Sequence, residues 1–243
     1  MHGFLGSSSD WKNIINGFLL DYYCIAIDLP GHGLSEIDES TNSYNIENTA
    51  KYIVELLQSH NIKKCNLLGY SMGGRIAIYL AIHHSEYFDR LIIESAQPGI
   101  MDNIERGQRR NRDKELVQKL ISQPFSAFLE FWYNQPIFKT LKNQKNFANL
   151  METRLQNNPL NLAKSLSEIG AGAQPSLWED LKRIKHSCLL IAGELDAKYQ
   201  KIFSIMHKEI FSSKFIIIKN AGHNVHLENP NEFIKVVRKF LRN

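Results

Sequence analysis

Apolar positions along the chain follow two alternating periods. Short β-branched runs at residues 23–28, 66–69, 91–95, 187–192 and 215–218 are apolar almost without interruption, as strands buried on both faces are. Between them the spacing becomes that of amphipathic helices. Trp11, Ile14, Ile15, Phe18 and Leu19 fall on one helical face, and Ile46, Ala50, Ile53, Val54 and Leu57 nearly repeat the pattern. Further helices are predicted from Met72 to about His83, from about Lys198 to Ile210, and at the C-terminus. In the last, Phe233, Val236, Val237, Phe240 and Leu241 share a face, with Asn229 suited to the N-cap and Pro230 to the first helical position. Strands alternating with helices predict an α/β fold, a mostly parallel sheet covered by helices on both faces.

From residue 101 to about 178 the strand signal stops, and the text reads as short helices rich in Arg, Gln, Asn and aromatics. The expected organisation is a core of residues 1–100 and 179–243 interrupted by a helical cap insertion over 101–178. No internal repeat or low-complexity tract is visible.

With 243 residues, 43% hydrophobic and 22% charged, the chain has ordinary globular composition, which excludes disorder and collagen. Lys and Arg number 29 against 25 Asp and Glu, and the net charge of +4 is spread out, which disfavours nucleic acid as a partner. One cluster departs from this: Arg106, Arg109, Arg110 and Arg112 make either a solvated helix face or a site for an anionic small molecule. Cys24, Cys65 and Cys188 lie far apart in or beside apolar runs, as reduced thiols of a cytoplasmic protein do. No apolar run approaches 18 residues and no signal-peptide pattern opens the chain, so neither secretion nor a membrane partner is expected. His32, His60, His83, His84, His186 and His207 lack metal-ligand spacing.

Gly69-Tyr70-Ser71-Met72-Gly73 is a G-x-S-x-G match that follows an apolar strand and precedes a helix. In that context the motif is a nucleophile elbow, a sharp turn that lifts a serine hydroxyl above the sheet edge. It needs an acid and a histidine, in that chain order, beyond later strand ends. Asp196 and His223 meet the requirement. Asp28 competes for the acid role, although its place in Asp28-Leu29-Pro30-Gly31-His32-Gly33 favours a structural part, and Asp196 also reads as a helix N-cap. His226 is an alternative base further from the strand end. His2-Gly3-Phe4 reads as an oxyanion-hole loop, assigning the amides of Phe4 and Met72 to a developing negative charge.

Together these elements resemble the α/β-hydrolase fold superfamily. Within it, His2 to Gly6, Asp28 to Gly33, Gly69 to Arg75, Gln97-Pro98-Gly99, Arg106 to Asp113, Phe131 to Pro136, Arg154, Gln174-Pro175, Gly193 to Asp196 and Ala221 to Pro230 are similar to the 2-succinyl-6-hydroxy-2,4-cyclohexadiene-1-carboxylate synthases of menaquinone and phylloquinone biosynthesis. The resemblance spans essentially the whole chain. It implies a lyase that eliminates pyruvate from an enolpyruvyl cyclohexene carrying three carboxylates, with Ser71, His223 and Asp196 as the base relay and no metal or organic cofactor. It also implies carboxylate-binding roles for Arg75, Arg109 and Arg154, with Arg106 as an outer partner. Tyr70, Lys198 and Gln174 match positions that line or flank the family's site, and Trp132 either contacts substrate or closes the cap core.

Two other functions keep part of this reading. A serine esterase or carbon–carbon bond hydrolase of the same fold would use the same triad, and a non-catalytic member would bind a small acid without needing it. The resemblance carries one further expectation. In this fold a strand precedes the His-Gly loop and lies between those matching residues 23–28 and 66–69, so the functional protein is expected to start roughly 15–25 residues upstream, the length of a hairpin and one strand.

Overall fold

The computed structural model describes residues 1–35 and 44–242. After a 3₁₀ turn at Ser8–Trp11 come α1 (Lys12–Asn16), α2 (Ile46–Ser59), β1 (Cys65–Tyr70), α3 (Met72–His83) and β2 (Phe88–Glu94). Five helices follow without a strand: α4 (Asn103–Ser122), α5 (Phe125–Tyr133), α6 (Lys139–Lys142), α7 (Phe147–Leu155) and α8 (Pro159–Ile169). The chain then returns as β3 (Ser187–Gly193), α9 (Ala197–Glu209), β4 (Ser213–Ile218), α10 (Val225–Glu228) and α11 (Pro230–Arg242).

The strands form one parallel sheet in the order β1-β2-β3-β4. Their uninterrupted apolar runs follow from burial on both faces. Leu91, Ile93, Cys188, Leu190 and Ala192 point to the layer containing α2, α3 and α9, while the alternate residues Ile92, Leu189 and Ile191 point to the layer containing Trp11, Ile14, Phe18 and α11. A third cluster lies among α4, α5 and α8, around Leu116, Leu120, Phe128, Leu129, Leu162 and Leu166. Among the described residues, no helix is long and apolar enough to cross a membrane.

Two expected elements differ. The first helix is α1 alone, because Gly17 ends it and the chain turns, leaving Leu19 59% exposed rather than buried on the helical face. Residues 23–28 make no ladder among the described residues, since a strand requires a hydrogen-bonded neighbour. The outer edge of β1 is engaged by Met1, whose nitrogen donates to Leu68 O at 2.7 Å and whose carbonyl accepts from Tyr70 N–H at 3.0 Å. Between that edge and residues 23–27 lies an apolar cleft of about 230 Å³ lined by Ile25, Ile27, Leu67, Leu68, Phe88 and Ile92.

Candidate active site

β1 ends at Tyr70 and α3 begins at Met72, so Ser71 alone makes the reversal between them. It does so at φ 50° and ψ −108°, a backbone conformation costing on the order of 1–3 kcal/mol that persists only where the surroundings enforce it. The Ser71 N–H donates to Glu94 O at 2.9 Å, and Ser71 O accepts from Arg75 N–H at 3.0 Å. The turn is too tight for side chains on either flank. A Cβ on Gly69 would sit 2.3 Å from the Gly73 carbonyl oxygen, and one on Gly73 2.6 Å from that of His2.

Above the strand ends, His223 Nε2 lies 3.4 Å from Ser71 Oγ and Nδ1 lies 2.9 Å from Asp196 Oδ2. The second carboxylate oxygen of Asp196 accepts from Tyr199 N–H at 3.2 Å, capping α9. The two readings of Asp196 are therefore compatible, since the N-cap bond fixes the carboxylate that orients the imidazole. Asp28 is engaged elsewhere and accepts from the N–H groups of Ser8 at 2.6 Å and Leu34 at 2.9 Å. Its pKa is lowered because these amide bonds outweigh the opposing effect of burial. His226 is held by Glu94.

The His2-Gly3-Phe4 loop packs directly on the elbow, where a Cβ at Gly3 would meet the Tyr70 ring at 2.6 Å and Ser71 Cβ at 3.3 Å. Phe4 and Met72 both line the cavity beside Ser71. His2 anchors this loop as a neutral ring: Nε2 accepts from Leu29 N–H at 2.9 Å, and Nδ1, 2.8 Å from Gly3 O, donates. Burial pushes His2 down to about 3, and its neighbour His32 likewise. Unfolding restores the ordinary value of 6.5, so below that pH the unfolded chain takes up protons that the folded one refuses. Stability should thus be full above pH 6.5 and fall toward pH 3, by about 1.4 kcal/mol per pH unit for each ring. Urea unfolding at pH 7, 6 and 5 measures this, and an unchanged stability would contradict two buried neutral rings.

The cavity over Ser71 holds about 360 Å³. Arg75, Arg109, Arg112 and Lys198 line it, and among its described lining residues there is no Asp or Glu. Arg75 is 8% exposed and spends Nη1 on Ile169 O at 2.7 Å and Gln174 Oε1 at 2.6 Å. Burial and then repulsion from Arg109 bring it down to about 10. Lys198 is lowered by burial and then by Arg109 and Arg112, against the pull of Asp196. Such a cavity is built for an anion with several charges.

Of the residues expected in the site, the structure gathers Ser71, His223, Phe4, Met72, Arg75, Arg109, Trp132 and Lys198 around one space, with Asp196 behind His223. Trp132 lines the space and also packs on Phe4, Phe128 and Phe138, so it both faces the cavity and closes the helical cluster. Tyr70 lies beneath, against His223 and His226. Gln174 is buried behind Arg75 and reaches the cavity only through it.

Two arginines do not line that cavity, although Arg154 borders a small adjoining space with Ser71, Phe4 and Trp132. Arg106 is partly exposed away from the lining and donates to Asn103 Oδ1. Arg154, expected to clamp a substrate carboxylate, is 3% exposed and already clamps one, donating Nη1 and Nη2 to the two oxygens of Asp10 at 2.7 and 2.8 Å and Nε to Tyr133 Oη at 3.0 Å. Burial alone would lower its pKa, but Tyr133 and Asp10 together raise it above the usual value.

Sequence reasoning missed Tyr199 and Phe138, whose rings pack against His223 at 4.9 and 6.1 Å, and also Gln97 in the cavity wall, where Arg112 of the arginine cluster lies too. Tyr199 is pushed up to about 12 by burial and by Asp196. Its position three residues after the triad acid was the available signal. Among the described residues, no group of three or more His, Cys, Asp or Glu side chains could hold a metal ion.

Residues 1–230 match the model of the alpha/beta hydrolase fold family. The putative 2-succinyl-6-hydroxy-2,4-cyclohexadiene-1-carboxylate synthase of Bacillus subtilis (strain 168) is 36% identical over 99% of this chain and 88% of its own. The chloroplastic protein PHYLLO of Arabidopsis thaliana is 34% identical over 99% of this chain, which spans only 15% of that much longer protein. Among solved structures, MenH from S. aureus superposes with a TM-score of 0.95 at 33% identity, covering 100% of this chain and 91% of that one.

Proposed function

The chain belongs to the alpha/beta hydrolase fold family and, within it, to the 2-succinyl-6-hydroxy-2,4-cyclohexadiene-1-carboxylate synthases, and from that premise we propose that it is a carbon–oxygen lyase releasing pyruvate from 2-succinyl-5-enolpyruvyl-6-hydroxy-3-cyclohexene-1-carboxylate. The observation that carries the reading is a serine relay opening into a cavity lined by Arg75, Arg109, Arg112 and Lys198, with no carboxylate among the described lining residues. Arg109 also donates Nε to Asp113 at 2.7 Å, and the set of cations suits a tricarboxylate better than a neutral ester.

In this mechanism His223 Nε2 accepts the Ser71 hydroxyl proton while Ser71 Oγ takes the ring proton next to the succinyl ketone. The electrons left behind delocalise into the ketone oxygen, beside the Phe4 and Met72 backbones, and returning electrons expel the enolpyruvyl oxygen. The proton held by the relay passes to the leaving group, which ketonises to pyruvate. No bond forms between Ser71 and the substrate. Ser71 Oγ and His223 Nε2 lie 3.4 Å apart, a contact of the kind that tightens when substrate binds.

Incubation with the enolpyruvyl substrate, following pyruvate and the diene chromophore, tests the reading. Ready turnover of p-nitrophenyl esters with an acyl burst and no pyruvate release would replace it by a hydrolase. Arg75→Ala and Arg109→Ala should each cost about 2–4 kcal/mol in kcat/KM, with Lys restoring only part of the loss because a point charge lacks the bidentate fork. Arg106→Ala should stay within about half a kcal/mol of the parent. Steady-state kinetics of the three variants separate cavity-facing from solvated arginines.

A further inference from the structure

Beneath the triad lies a second histidine–carboxylate pair that the relay does not use. Glu94, the last residue of β2, and His226, on α10, have fully buried side chains. His226 Nδ1 lies 2.9 Å from both carboxylate oxygens, and the His226 backbone N–H donates to Oε1 at 3.1 Å. Trp11 stacks on the imidazole at 4.4 Å with the planes 16° apart, and the Tyr70 ring packs on it at 4.8 Å. Nε2 has no partner among the described residues, and Nδ1 faces the carboxylate. It is not placed to exchange protons with Ser71, whose hydroxyl faces His223.

Glu94 bonds the nucleophile's backbone and the turn that follows the triad histidine. Its backbone carbonyl accepts from Ser71 N–H at 2.9 Å, and its side chain grips the turn three residues beyond His223. Two other carboxylates tie the same loop. Glu194 accepts from Asn220 N–H, and Glu228 accepts from Gly222 N–H at 2.8 Å and Asn224 N–H at 3.1 Å. Neither of these bonds the nucleophile's turn. We propose that Glu94 and His226 are positioning residues that set the Ser71–His223 separation by fastening the histidine loop to the strand end beside the nucleophile elbow. The proposal rests on the Ser71–His223 relay of the preceding subsection, but not on the identity of the substrate.

A polar group in so dry a place is costly to leave unpaired, so the informative changes keep shape and remove a single bond. Glu94→Gln retains one acceptor oxygen, and His226→Asn retains a donor near Nδ1, whereas His226→Leu removes it. Two readouts are needed. The first is kcat and KM for pyruvate release, and the second is the rate at which a fluorophosphonate labels Ser71. In the labelling step Ser71 Oγ bonds to phosphorus, fluoride leaves and His223 accepts the serine proton. Misplacing a reacting group by a fraction of an ångström should slow both kcat and labelling by about 10–100-fold in Glu94→Gln and His226→Leu. KM should stay near the parent value, and His226→Asn should recover most of the rate.

A purely structural pair would instead lower the melting temperature while leaving kcat and labelling per folded molecule unchanged, and that result would overturn the proposal. Should His226→Leu fail to fold, Glu94→Gln and His226→Asn decide alone, since parental rates in the former or uniform loss of folded protein in both contradicts positioning. A parent enzyme that is labelled yet releases no pyruvate would sink the substrate assignment and leave this inference standing. A parent that is never labelled would remove the relay and this inference with it.

Discussion

Ser71→Ala and His223→Ala are each expected to lower kcat for pyruvate release by at least about 150-fold, or roughly 3 kcal/mol, with little change in KM. The two act as one proton path, so the double variant should be hardly slower than either single one. Once one link is gone the other has nothing to transfer. Asp196→Asn should also be slow, because an amide in place of the carboxylate that lies 2.9 Å from Nδ1 favours the wrong imidazole tautomer. Single-turnover measurement of pyruvate at saturating substrate checks all four variants, and parental rates in Ser71→Ala would leave the proton transfer without its base.

The second large effect concerns folding. Arg154 and Asp10 form a buried pair with two parallel bonds at 2.7 and 2.8 Å, and Tyr133 supplies a third contact to the guanidinium. Removing only one partner strands a charge in a dry interior, so Arg154→Met and Asp10→Asn should each lose about 3–5 kcal/mol of unfolding free energy. The pair joins the segment after the oxyanion loop to α7 in the helical cluster. The double variant, in which no charge is left alone, should recover much of the loss. Urea unfolding of the three variants measures this cycle. A role as a free substrate clamp would show the reverse, a raised KM at unchanged stability.

These outcomes separate what local pattern reveals from what it conceals. The elbow was legible because its demands are local: a strand, a serine between glycines and a helix occupy one short stretch. Asp196 and His223 were legible because they follow strand ends in the required order. The strands of the sheet were legible as apolar runs, while residues 23–28 carry the same run and make no ladder, since pairing belongs to the neighbour rather than the segment. The pairing of Arg154 was hidden for a similar reason. Its counter-charge lies 144 positions away, and no spacing rule connects the two. Glu94 did leave a trace in the sequence, because a carboxylate closing the apolar run Leu91-Ile92-Ile93 must find a partner once buried. That trace indicates a partner without naming His226. Tyr199 and Phe138 enclose His223 through tertiary packing, and aromatic residues have no motif that reports such contacts.

The cation-lined cavity has a further consequence for the scaffold that carries it. Arg75 sits on α3 and Lys198 on α9, while Arg109 and Arg112 sit on α4, so like charges confront one another across the boundary between sheet layer and helical cluster. The lowered pKa values of Arg75 and Lys198, due first to burial and then to Arg109, record that confrontation. Counter-charges offset part of it, for Arg109 Nε donates to Asp113 Oδ1 at 2.7 Å and Asp196 lies near Lys198. A polyanion entering the cavity meets cations from both sides of that boundary at once. A product that has lost the pyruvyl carboxylate offers these cations one charge fewer. The charge arrangement thus favours substrate over product and suits a site that lets go after turnover.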